Sequence, residues 1–247
     1  MEAARNIRNA VEHVSQLRQA LEDHPDLGAA VGQVKRVQSQ RFAGTYADLL
    51  AGGSYAAPAR FFMTELYSDK DYAERDAQFS RIAGAIEKFF PAQVVETAVA
   101  LAQLHALTEE LDQAMALAWL AQEGDDDSDA RRYALAWREV GRRQDRESQL
   151  TVVLRIGQEM ARLTRTTGLR VMLRMMRGPA SAAGLGSLQR FLESGFDTFA
   201  AMAKRRGAAE EFLAIIQRRE SALLAMLFDS PLVACETELG RTLGQAP

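Results

Sequence analysis

The sequence predicts an all-α protein, a bundle of roughly eight to ten helices in a single compact domain. Three observations predict it. Apolar residues recur at helical spacing nearly everywhere. No segment shows the alternation in steps of two that marks a half-buried strand. Ala, Leu, Arg, Gln and Glu dominate, all good helix formers, while Gly and Pro are sparse and clustered.

The first helix runs from Glu2 to Glu22, with Ile7, Val11, Val14, Leu17 and Leu21 on one face. Pro25 and Asp26 start a second, carrying Leu27, Val31, Val34, Phe42, Tyr46 and Leu49, which Gly52 and Gly53 end. Pro58 fits the first turn of a short third helix, ARFFMTELY, broken at Ser68 and Asp69. A fourth, with Tyr72, Phe79, Ile82 and Ile86, reaches Phe90, and Pro91 opens a fifth through Leu120. GDDDSD, residues 124–129, forms an acidic loop whose aspartates suit the positive N-terminus of the next helix.

That sixth helix extends from Ala130 to about Thr166, with Gly141 or Gly157 as its expected interruption. Gly168 precedes a short basic stretch, LRVMLRMMR. GPASAAGLGS, residues 178–187, reads as a loop, with Ser187 capping a helix that bears Leu188, Leu192, Phe196, Phe199 and Met202. Gly207 separates a helix carrying Phe212, Ile215, Ile216, Leu223, Met226 and Leu227. The last dozen residues read as a weak helix or frayed tail. One domain over 1–247 is preferred to two helical halves, 1–123 and 130–247, joined by the acidic loop. Neither half has the polar linker composition of an independent module.

Composition narrows the function. With 47% hydrophobic and 26% charged residues, the chain can bury a large core, which excludes a disordered protein. A single cysteine, Cys235, excludes an intramolecular disulfide and a thiolate metal cluster. That suits a reducing compartment, so a cytoplasmic location is expected. The polar start MEAARNIRNAVEHV has no secretory h-region, and no apolar run approaches the ~20 residues of a membrane span. The net charge of −3 argues against a dedicated nucleic-acid binder. It averages two blocks, however. Glu109 to Asp129 holds eight acids and no Lys or Arg, and Arg131 to Arg177 holds twelve arginines against four acids.

RFFMTELYSDKDYAERDAQFSRI (Arg60 to Ile82) and LHALTEELDQAM (Leu104 to Met115) resemble the family named for its FFLEELY motif, found in proteobacteria. MRGPASAAGLGSLQRFLESGFDTF and EEFLAIIQRRESALLAMLF resemble it too, so the likeness covers about Phe42 to Phe228. Phe61, Phe62, Glu65, Leu66 and Tyr67 fit the naming motif, whereas Met63 and Thr64 stand where it has Leu and Glu. The resemblance implies a helical bacterial protein and carries over no cofactor and no catalytic residue.

Three constellations can carry chemistry. His105, Glu109 and Asp112 share one helix face, and Glu65 and Asp76 are carboxylates able to join them. No Glu stands three residues before a His, as carboxylate-bridged metal bundles require, so no metal is assigned. The plainer account makes His105 a helix residue paired with Glu109. Second, Phe61, Phe62, Glu65 and Tyr67 can orient a small ligand, or simply anchor a short helix to the core. Third, Arg170, Arg174 and Arg177 form a stripe opposite Met172, Met175 and Met176, a combination suited to a partner surface. The earlier stripe of Arg131, Arg138 and Arg142 is instead expected to be neutralised internally by the acidic block across the 124–129 turn.

There is no phosphate loop, dinucleotide fingerprint or nucleophile elbow. The sequence therefore reads as an intracellular interaction, regulatory or scaffolding protein. Residues 170–177 are its expected contact surface, and a second copy or an acidic protein its expected partner. The alternative is a helical enzyme or small-ligand binder whose polar pocket is lined by Glu65, Tyr67, Asp76, His105 and Glu109. A third reading is weak nucleic-acid binding through 131–146.

Overall fold

The computed structural model describes residues 2–65, 72–122, 128–166 and 168–246. Among these residues there are helices and no strands, as the spacing predicts. The order is α1 (Glu2–Asp23), α2 (Pro25–Thr45), α3 (Ala47–Leu50), α4 (Ala56–Glu65), α5 (Ala73–Phe89), α6 (Ala92–Leu120) and α7 (Asp129–Val140). There follow α8 (Arg143–Leu163), α9 (Leu169–Met175), α10 (Arg177–Ala182), α11 (Gly186–Met202), α12 (Ala208–Asp229) and α13 (Leu232–Leu243). No helix among the described residues is long and apolar enough to cross a membrane.

The thirteen helices among the described residues exceed the expected eight to ten for local reasons. Gly141, at φ 69, takes a left-handed conformation that ends α7 and splits the predicted sixth helix, whereas Gly157 lies inside α8. Residues 178–182, expected in a loop, belong to α10, which buries Ala180. Residues 232–243, expected to be weak, form α13, where Cys235 and Leu239, four apart, are both buried. Ser187 does not cap α11, which begins at Gly186. The buried Gln78 accepts from the Leu188 backbone amide at 2.8 Å and so satisfies an orphan donor of its first turn. Ser128 does cap α7, its hydroxyl accepting from the Arg131 amide.

The described chain forms two compact units. The first comprises residues 1–15, 70–106 and 151–214, and the second residues 16–69, 107–150 and 215–247. In the first, Ile7 and Val14 of α1 pack with Ala83 of α5 and with Ala102 and Ala106 of α6. In the same unit α11 packs on α5, and α9 and α10 pack on α11.

In the second unit α13 packs against α7 and α2. Its core joins Val34, Met115, Trp119, Tyr133, Trp137, Leu227, Cys235 and Leu239. Gly44 lets α13 approach closely, because a Cβ there would meet the Thr242 carbonyl oxygen. Arg138 donates to the Leu227 carbonyl at 2.8 Å and to the Ser230 carbonyl, satisfying acceptors left over at the C-terminal end of α12.

Candidate functional site

α9 is short, begins after the left-handed Gly168 and buries none of its residues. Its Arg170, and Arg177 at the start of α10, pair with acids of α11. The Arg177 guanidinium forms a fork with Glu193 of α11, from Nε at 2.7 Å and Nη2 at 2.5 Å. Arg170 Nη2 lies 2.7 Å from Asp197, one turn further along α11. The Gln189 side chain donates to the Leu173 carbonyl at 2.7 Å and fixes the α9 backbone on the same neighbour. Held by Arg177 and Gln189, the Glu193 carboxyl drops from its ordinary range to about 2.

The Arg170 and Arg177 side chains stay half-exposed, at 49% and 61%, while they hold α11. Arg170, Arg174 and Arg177 lie on the side that engages α11, and helical spacing puts Val171, Met172, Met175 and Met176 on the opposite arc. These four are 61%, 40%, 73% and 44% exposed. An ordinary surface helix buries its apolar arc. The sequence brings the arginines and methionines together as expected, but their roles differ: the arginines tether α9 and the apolar side chains are presented.

The structure joins two of the predicted pocket residues. Buried Asp76 of α5 and half-buried His105 of α6 meet at 2.9 Å, Oδ2 to Nε2. Tyr72 lies edge-on to the imidazole at 6.5 Å, and the Arg75 guanidinium sits between the Tyr72 and Phe191 rings at 3.9 and 4.5 Å. Glu109 does not pair with His105; it accepts from Lys35 at 2.7 Å in the second unit. Asp112, also in the second unit, accepts from Gln38 at 2.8 Å. Phe62 is buried in α4, Phe61 stacks on it edge-to-face at 6.3 Å, and half-buried Glu65 ends the helix. Tyr67 lies outside the described residues. No group of three or more His, Cys, Asp or Glu side chains among the described residues is placed to hold a metal ion.

A buried polar cluster in the second unit was not predicted. Arg41 Nη1 and the Tyr46 hydroxyl both donate to Glu220 Oε1, at 2.7 and 2.8 Å, with Arg41 and Glu220 withdrawn from water. Arg146 is buried over the Trp137 ring at 4.1 Å. Burial pushes the Asp112 carboxyl up, against the pull of Lys35 and Arg146. It also pushes up the Tyr133 phenol, whose surroundings include Arg41, Arg146, Asp112 and Glu220. One signal was available: Arg41 stands seven residues after Val34 and four after Val37, so it occupies a core position of α2.

The two charge blocks meet at Glu110 and Arg142, 2.5 Å apart. Other described members of the two blocks in the second unit turn elsewhere. Asp129 accepts from Gln33, Arg131 reaches Glu236, and Arg143 pairs with Asp229. The Arg131, Arg138 and Arg142 stripe is thus engaged by its own protein: Arg142 by Glu110 of the acidic block as expected, Arg131 by Glu236, and Arg138 by the α12 carbonyls.

A family model described as a domain of unknown function (DUF8198) matches residues 16–232. No curated protein matches, and no solved structure matches.

Proposed function

Because the chain belongs to the DUF8198 family, whose description names no activity, we propose its function from geometry: it is an interaction module that docks a partner on the apolar arc of α9. One observation carries this. α9 directs its charged side to α11 and leaves Val171, Met172, Met175 and Met176 in water. Exposing apolar surface forgoes about 25 cal/mol per Å² of burial, so a helix held this way is stabilised by what later covers it. Methionine suits the role, since its flexible thioether adapts to an incoming surface. Tethering by Arg170 and Arg177 pre-orders the element and lowers the entropy lost on docking. The lone buried thiol of Cys235 fits a reducing compartment, the cytoplasm.

Photo-crosslinking in cells tests it. A benzophenone amino acid replacing Met175 is expected to give a discrete adduct. The same group at Arg155, exposed on α8 of the same unit, gives none. No adduct at 175, or equal adducts at both positions, contradicts docking through α9.

A second reading, small-ligand binding beside His105, is favoured by its contact with the buried Asp76 carboxylate, which orients the imidazole as in general-base pairs. It predicts that one or more compounds in a metabolite panel raise the melting temperature of the wild type and leave His105→Gln unmoved. A panel in which no compound separates the two proteins contradicts it.

A further inference from the structure

We infer that the arc of α9 docks on a second copy of this chain, and that the receiving surface is the exposed Leu117–Leu120 face of α6. This rests on the docking role proposed above and adds the identity of the occupant. Charge is the first argument. The first unit holds sixteen Lys and Arg against twelve Asp and Glu, a net +4. The second holds fourteen against twenty-one, a net −7. Two first units therefore repel, and a first unit is steered toward the second unit of another molecule.

The receiving face supplies the second argument. Leu117 and Leu120 stand three apart on α6 and so share a face, and they are 55% and 47% exposed. They lie at the C-terminal end of the 29-residue α6, within the net-negative second unit. Two α9 arcs facing each other would instead bring two net-positive first units together. A head-to-tail contact joins unlike surfaces and lets the flanking polar residues of both contribute.

The test is complementation between two variants of the full chain, Met175→Asp and Leu117→Asp, followed by sedimentation and light scattering. Both residues are exposed, and circular dichroism checks that each variant keeps its helix content. The wild type is expected to exceed monomer mass as its concentration rises and to fall back as salt is added. Each variant alone is monomeric, because one lacks every donor arc and the other every receiving face. An equimolar mixture forms one-to-one dimers, since one good face of each kind survives.

If Leu117→Asp still dimerises alone, or the mixture stays monomeric, the head-to-tail contact is overturned. A wild type monomeric at every concentration overturns it as well. Binding of the wild type, and not Met175→Asp, to phosphatidylglycerol vesicles overturns it in favour of a lipid surface. In these cases an adduct from position 175 to some other molecule still leaves docking through α9 standing, whereas no adduct removes both.

Discussion

Replacing Arg41 with Met removes one charge from a deeply buried ion pair of the second unit. Arg41 and Glu220 side chains keep only 6% and 11% of their exposure, and Glu220 Oε1 takes hydrogen bonds from both Arg41 and Tyr46. Met preserves most of the stem volume, so the change is chiefly electrostatic. Glu220 would remain buried with the Tyr46 hydroxyl alone, and breaking a buried pair from one side costs about 3–5 kcal/mol. Tyr46→Phe removes only the neutral donor and costs about 1.5–3 kcal/mol, the range for hydrogen bonds to a charged group. The double change Arg41→Met with Glu220→Leu removes both charges and is expected to return to within ~1 kcal/mol of the wild type. Urea unfolding followed by tryptophan emission is the assay, because both tryptophans, Trp119 and Trp137, lie in the core of this unit. A single variant within ~1 kcal/mol of the wild type refutes the reasoning. So does a double variant as unstable as the single.

Other predictions follow from local geometry. Asp112→Asn keeps an acceptor for Gln38 and removes a carboxyl whose raised pKa makes the fold less stable as pH climbs past the unfolded value. The variant should be at least as stable as the wild type at pH 7, with a flatter pH dependence in the same urea assay; a clear loss at pH 7 counts against this. Gly44→Ala pushes a methyl group into the α13 backbone at Thr242 and should cost about 1–3 kcal/mol, read by thermal unfolding; an unchanged melting temperature contradicts the close approach. Glu193, depressed to about 2 by Arg177, holds α9 fully above its ordinary value of 4.5 and releases it as pH falls toward 2. Methyl resonances of Met172 and Met175 should therefore shift with a midpoint well below 4.5, and Arg177→Gln should raise that midpoint; an unshifted midpoint in the variant denies the tether.

Much of the fold was legible because helical spacing is local. Val34 and Val37 mark the buried face of α2, Pro25 and Pro91 mark helix starts, and Ser128 carries its own cap. What the spacing could not supply was direction. The sequence puts Arg170 to Arg177 and the methionines on opposite sides of one helix, yet only Glu193 and Asp197, four apart on α11, decide which side turns inward. The same holds for α13, whose Cys235 and Leu239 look weak alone and become core once α7 and α2 stand against them. His105 likewise has Glu109 four residues away in the same helix but takes Asp76 from α5. Long-range pairing overrode the nearest carboxylate, and nothing in local spacing encodes that choice.

Hydroxyl-radical footprinting of the methionines across a dilution series bears most directly on α9 as a docking element, with fully buried Met115 as the internal reference. Met175 should oxidise far faster than Met115 in dilute protein and approach its rate as the concentration rises. A Met175 rate as slow as that of Met115 in dilute protein would mean the arc faces inward. A rate that stays fast at every concentration would mean that no second copy covers it.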